Sequence, residues 1–175
     1  MSGWAPLGLA TLLLAAGAGG DPLTLDEARA RIGALFALEG GEAQELRVAV
    51  EAIENGPEGR LPLERLEAEL AGLFAARGVP RTPAAEAQPG VLAMSCRVGL
   101  SEVEAGETGW SQVRWDGTCD LSRRGRIGLA TARAGGASHP DPTTARDRAR
   151  DAARESLVAA LERRLVELPA AQPAP

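Results

Sequence analysis

Cys96-RVGLSEVEAGETGWSQVRWDGT-Cys119 holds the only two cysteines of the 175-residue chain. Apolar residues alternate along both arms of this stretch. Leu92, Met94, Cys96, Val98 and Leu100 alternate with Ala93, Ser95, Arg97, Gly99 and Ser101, and Val113, Trp115, Cys119 and Leu121 alternate with Gln112, Arg114, Asp116, Thr118 and Asp120. A period of two is the mark of a half-buried strand. A turn at Gly106–Gly109 joins the arms as a hairpin. Its register sets Met94 opposite Leu121, Cys96 opposite Cys119 and Leu100 opposite Trp115, so every such pair falls on the apolar face. Directly opposed strand residues lie near disulfide distance. Cys-x-x-Cys spacing, which favours redox work, is absent, and two Cys with one His do not complete a Cys/His zinc set. The pair reads as a structural staple. Neither a metal nor any cofactor is expected.

A second turn at Ser122–Gly125 leads into a shorter strand, Arg126–Ala134, carried by Ile127 and Leu129. Pro142 then suits the first position of a long helix to about Glu167. Its early face is small (Ala145, Ala149, Ala153) and its later face larger (Leu157, Leu161, Leu165), which suits close packing on a sheet.

Upstream, Thr24-Leu-Asp-Glu27 forms a capping box that opens a helix with Leu25, Ala28, Ile32, Leu35 and Phe36 on one side. Leu46, Ala49, Val50 and Ile53 suggest a second helix over Glu42–Asn55. Leu63, Leu66, Leu70, Leu73 and Phe74 suggest a third from Pro62 to Gly78. The expected fold class is α+β, ααα-βββα: an N-terminal three-helix unit, then a three-stranded antiparallel meander packed by the long C-terminal helix. The expected organisation is a signal peptide (1–18), a helical subdomain (19–78), a Pro-rich linker (79–90), the disulfide-stapled βββα unit (91–168) and a disordered tail (169–175).

The leader carries no charge from Trp4 to Ala18 and ends in Ala16-Gly-Ala18, a small-x-small cleavage pattern. The apolar run is short for a bilayer span, so no stable membrane segment is expected after its removal. Export supplies an oxidising compartment for the cysteines. The expected location is therefore periplasmic or secreted. All 19 basic residues are Arg, as a GC-rich genome favours, and the net charge of −5 excludes a strongly basic nucleic-acid binder. Three Trp and two Phe offer little for stacking on bases or sugars.

Candidate chemistry is sparse. Glu54–Leu61 has a faint calcium-loop outline, but its twelfth position is Arg65, where a bidentate carboxylate is needed. His139 is the sole imidazole, and a small hydrolase using it with a neighbouring Ser or Asp is one alternative. Arg123, Arg124 and Arg126 form the one basic cluster, which gives a second alternative, an anionic-surface binder. Residues 91–168 are similar in outline to small accessory modules of bacterial envelope assemblies. The absence of a catalytic constellation, joined to a compact stapled sheet and a separable acidic helical unit, leads to an expected non-catalytic exported protein with a protein partner in the envelope or outside the cell.

Closing the loop between the cysteines stabilises the fold by about 3.4 kcal/mol in the chain-entropy description. Thiol counting on unfolded, non-reduced protein should find no free cysteine. Reduction should lower stability by about 2–4 kcal/mol without loss of a specific chemistry.

Overall fold

A computed structural model describes residues 23–38, 41–56, 59–83, 90–103 and 109–170. The expected leader and the last five residues lie outside the described residues, as does much of the Pro-rich stretch. The elements run α1 (Leu25–Ala34), α2 (Gly41–Gln44), β1 (Arg47–Gly56), β2 (Gly59–Pro62), α3 (Glu64–Ala75), β3 (Val91–Val103), β4 (Ser111–Arg123), β5 (Arg126–His139) and α4 (Pro142–Val166). Helix α1 begins as its sequence dictates. The Thr24 hydroxyl accepts the Glu27 amide, and the Glu27 carboxylate accepts the Thr24 amide at 2.9 Å.

The expected three-helix unit does not form, and the sheet is larger than the expected meander. Residues read as the second helix make strand β1, and Gly59–Pro62 returns antiparallel to it as β2. The result is one five-stranded mixed sheet, in the order β2-β1-β3-β4-β5. Leu46, Val48, Val50 and Ala52 are all buried, so the pattern that operates is alternation. The same stretch satisfies a helical stripe through Leu46, Ala49, Val50 and Ile53. Its Ala and Glu residues suit a helix and its Val and Ile suit a strand, so local preference leaves the matter open. Tertiary pairing decides it. The edge of β3 needs a hydrogen-bonding neighbour, and β1 supplies one, parallel, from Arg47↔Val91 to Asn55↔Gly99. Helix α3 is the crossover that a parallel pair requires. The chain after it is tied back to β1, where the Thr82 amide donates to the Val48 carbonyl at 2.9 Å.

The hairpin register is the one read from the turn. Cys96 faces Cys119, Met94 faces Leu121, and Leu100 faces Trp115. Cys96 and Cys119 are disulfide-bonded and fully buried. Helix α4 lies over β4 and β5, with Ala145, Ala149 and Ala153 almost inaccessible. Gly117 permits this closeness: a Cβ there would stand 2.8 Å from the Leu157 side chain. Within the sheet, Gly135 makes room for the Trp115 ring, which would stand 2.7 Å from a Cβ there. A single apolar cluster joins α1, α3, α4 and the inner sides of β1, β3, β4 and β5.

Arginines spaced one turn apart on α4, which a mixed-charge sequence pattern would leave to solvent, tie the helix down. Arg146 meets Glu102 of β3, Arg150 meets Glu54 of β1, and Arg154 meets Glu69 of α3. The middle pair is the most enclosed. Glu54 is 5% exposed, and Arg150 grips it with Nε to Oε2 at 2.6 Å and Nη2 to Oε1 at 3.0 Å. This bidentate hydrogen bonding raises the Arg150 pKa above its ordinary value. Arg150→Ala would strand a carboxylate in a poorly solvated site. The variant should lose about 1–3 kcal/mol in urea denaturation, below the full buried-pair range because the Arg150 side chain is 36% exposed. Arg148→Ala, on an exposed side chain, is the near-neutral comparison.

Candidate interaction surface

Among the described residues, helices cover one side of the sheet and leave the other open. Along each strand alternate side chains point to this outer side, and the registers align them into rows. Glu51, Ser95, Asp120 and Ala130 make one row. Ile53, Arg97, Thr118 and Ala132 make the next, followed by Asn55, Gly99, Asp116 and Ala134. The β5 column is Ala130, Ala132, Ala134, Gly136 and Ser138, all exposed and none charged. Charged side chains stand on the neighbouring strands, as Arg114, Asp116 and Asp120 on β4 and Arg97 on β3. The surface is therefore low and smooth towards β5 and charged towards the middle of the sheet.

The two sheet edges differ. Strand β2 is four residues long and ends in Pro62, a combination that discourages further pairing. Strand β5 is 14 residues long, and among the described residues β4 is its only paired strand. The Cα atoms of Cys96 and Cys119 are 4.1 Å apart, the close spacing of a non-hydrogen-bonded antiparallel pair. Main-chain groups of Cys119 therefore point to β5, where its partner is Thr131. By alternation, Thr131, Arg133 and Gly135 spend their main-chain groups on β4. Ala130, Ala132, Ala134, Gly136 and Ser138 direct theirs outward from the edge.

The basic cluster is divided by the fold. Arg123 turns back to Glu42, with Nη2 to Oε2 at 3.2 Å, and its side chain is 13% exposed. Arg124 and Gly125 both have positive φ (48° and 80°), as a two-residue turn of the mirror-image type requires. Arg124 and Arg126 remain exposed at that end of the hairpin, beside Ile127, which is 57% exposed on the outer face.

His139 ends β5 without a triad around it. Its Nδ1 accepts the Asp141 amide at 3.1 Å, so that nitrogen has no proton for a carboxylate to orient. Asp141 instead caps α4, accepting the Thr144 amide at 2.8 Å and the Thr144 hydroxyl at 2.6 Å. Ser138 precedes His139 in the strand and faces the opposite way. Two clefts flank Arg150, one of about 490 Å³ between α4 and the start of α3 and one of about 310 Å³ between α4 and the β1–β2 hairpin. Arg146, Arg150 and Arg154 in their walls are held by the ion pairs described above. Among the described residues, no group of three or more His, Cys, Asp or Glu could hold a metal ion. Nor is any helix among them long and apolar enough to cross a membrane.

No family model and no curated protein sequence matches the chain. Solved structures similar to it include a minor lipoprotein from Acinetobacter baumannii, 16% identical with a TM-score of 0.43, covering 74% of this chain and 98% of that one. A protein from Helicobacter pylori described as a homolog of neuraminyllactose-binding hemagglutinin is 11% identical, with a TM-score of 0.47, covering 71% and 84%. A candidate lipoprotein from Caulobacter crescentus is 12% identical, with a TM-score of 0.38, covering 81% and 91%.

The Asp141 cap has a pH signature. Hydrogen bonds from the Thr144 side chain and then from its amide hold the Asp141 carboxyl below its usual pKa. A group depressed on folding contributes stability that is fully present above the unfolded carboxylate pKa of about 3.9 and lost as pH falls through the lower folded value. Asp141→Ala should therefore lower the melting temperature at pH 7. The gap from the parent protein should narrow as pH drops below about 4, in parallel thermal scans.

Proposed function

We propose that this is an exported, non-catalytic protein that binds a protein partner in the bacterial envelope or outside the cell, using the open face of the sheet. The observation that carries the reading is the one-sided cover of a five-stranded sheet whose outer surface, from β3 to β5, is built largely from Ala, Gly, Ser and Thr. Short side chains let a partner come close and immobilise few rotamers when it does. The neutral β5 column suits the centre of a contact, where charged residues are depleted, and the flanking Arg97, Arg114, Asp116 and Asp120 suit its polar rim. The buried disulfide supports the compartment, because such bonds persist where the surroundings oxidise thiols. Arg124 and Arg126 stand beside the same surface and add an electrostatic contact, while Arg123 serves the fold through Glu42.

The test is crosslinking in the exported fraction of the native cells, with the parent protein and outer-face variants. Thr118→Arg and Asp116→Arg, both on exposed positions, should reduce a specific crosslinked adduct about ten-fold or more and leave thermal stability close to that of the parent. Adduct formation indifferent to both substitutions would overturn the assignment of this face. Absence of any specific adduct would overturn partner binding itself.

A further inference from the structure

We infer that the free edge of β5 accepts an extended segment of a partner protein as a sixth strand, and that this segment carries a carboxylate opposite Arg133. The inference rests on the reading of the protein as a partner-binding module and names what it binds. Three observations lead to it.

The edge has length and vacant bonding groups. From Ala130 to Ser138, alternate residues present an outward amide and carbonyl, a ladder that an extended chain can complete. This span contains no Pro, Arg133 is its one charged residue, and the register irregularity between β4 and β5 lies at Leu121/Ser122, before the span begins. Side chains leave room on the outer side, where the column is Ala, Gly and Ser. On the inner side the Trp115 ring fills the space above Gly135.

Charge then selects the occupant. Strand β5 carries Arg126 and Arg133 and no carboxylate, in a chain whose net charge is −5. Arg133 is exposed in the middle of the open span, and no ion pair with another of the described residues engages it. A second copy pairing antiparallel about Ala134, the midpoint of that span, would set its own Arg133 diagonally beside the first. Like charges on neighbouring strands destabilise the pair. An incoming strand with Glu or Asp opposite Arg133 gains where a second copy loses. Exposed Ile127 at the start of the strand offers the same segment an apolar contact.

The experiment uses the oxidised protein and two labelled eight-residue peptides, one alternating Val with Glu and the other Val with Lys. Binding is followed by fluorescence anisotropy and by amide shifts of residues 130–138. The Val–Glu peptide should bind about ten-fold or more tightly than the Val–Lys peptide, and Arg133→Glu should reverse the order. Ala132→Pro removes one outward amide and no ladder bond to β4, so it should abolish binding by both peptides. Ala132→Ser, which keeps the amide, should bind like the parent. The thermal midpoint of the Pro variant shows whether its sheet survives. Should the sheet not survive, the Arg133→Glu reversal and the shifts at residues 130–138 decide the matter.

Equal affinity for the two peptides, binding by neither, or amide shifts confined to residues outside β5 would overturn the proposal. So would a dimer in sedimentation analysis that dissociates in the Pro variant, which would assign the edge to a second copy. A cellular adduct that survives Ala132→Pro but is lost with Thr118→Arg would remove the edge and leave the open-face reading standing. Loss of every adduct with the parent protein would instead remove the binding reading.

Discussion

The parallel ladder between β1 and β3 is the constraint on which the remaining architecture depends. Without it β3 would be an edge, and the hairpin stapled by Cys96 and Cys119 would be a narrow meander. With it, β3 lies between two paired neighbours, and the alternating side chains of β1 extend the buried face by Val48, Val50 and Ala52. A parallel connection cannot be a tight turn, so the chain crosses over through α3. That helix lies on the same side as α4, and the two make contact. Among the described residues the sheet is thereby covered on one side and bare on the other.

Polar pairing follows the same geometry. Because β1 lies beside β3, Glu54 comes within reach of Arg150, although 96 positions separate them in the chain. Arg146 and Arg154, one turn to either side, find Glu102 and Glu69 on two further elements. Exposed ion pairs contribute little individually, and the outer two are partly exposed. The enclosed Glu54 makes the central pair different, since a wrong placement of α4 would leave its charge without a partner. Apolar contacts between Ala145, Ala149, Ala153 and the sheet hold the helix down. The arginines add direction, because each must meet a carboxylate on a different element.

One-sided cover also separates stability from recognition. Burial, the disulfide and the arginine pairs all act on the inner side or within the sheet. The outer side is left with short side chains and a few charges, and substitutions there need not disturb the core. The two edges show a matching division, with β2 short and closed by Pro62, and β5 long and, among the described residues, paired on one side alone. A surface of this kind requires no catalytic residue to be useful, and His139 and Asp141 are occupied in the turn that starts α4.

Local information was enough wherever one period or one cap stood without a rival. Strict alternation set the faces of β3 and β4, the turn between them set Cys96 against Cys119, and the Thr24 capping box and Pro142 marked helix starts that the fold keeps. It was not enough for residues 42–55, where Leu46, Val50 and Ile53 serve a helical stripe while Leu46, Val48 and Val50 serve a strand, at similar local free energy. The partner strand lies more than 40 residues further on, and only its unfilled edge favours one pattern over the other. The same limit hid the candidate interaction surface. Ala130, Ala132 and Ala134 look unremarkable in sequence, and Arg123, Arg124 and Arg126 look like one group. Only the register makes the alanines an open column, and only the approach of Glu42 withdraws Arg123 from solvent. Hydrogen bonding and charge pairing across the sheet join residues far apart in the chain, so tertiary structure decided what no local period contains.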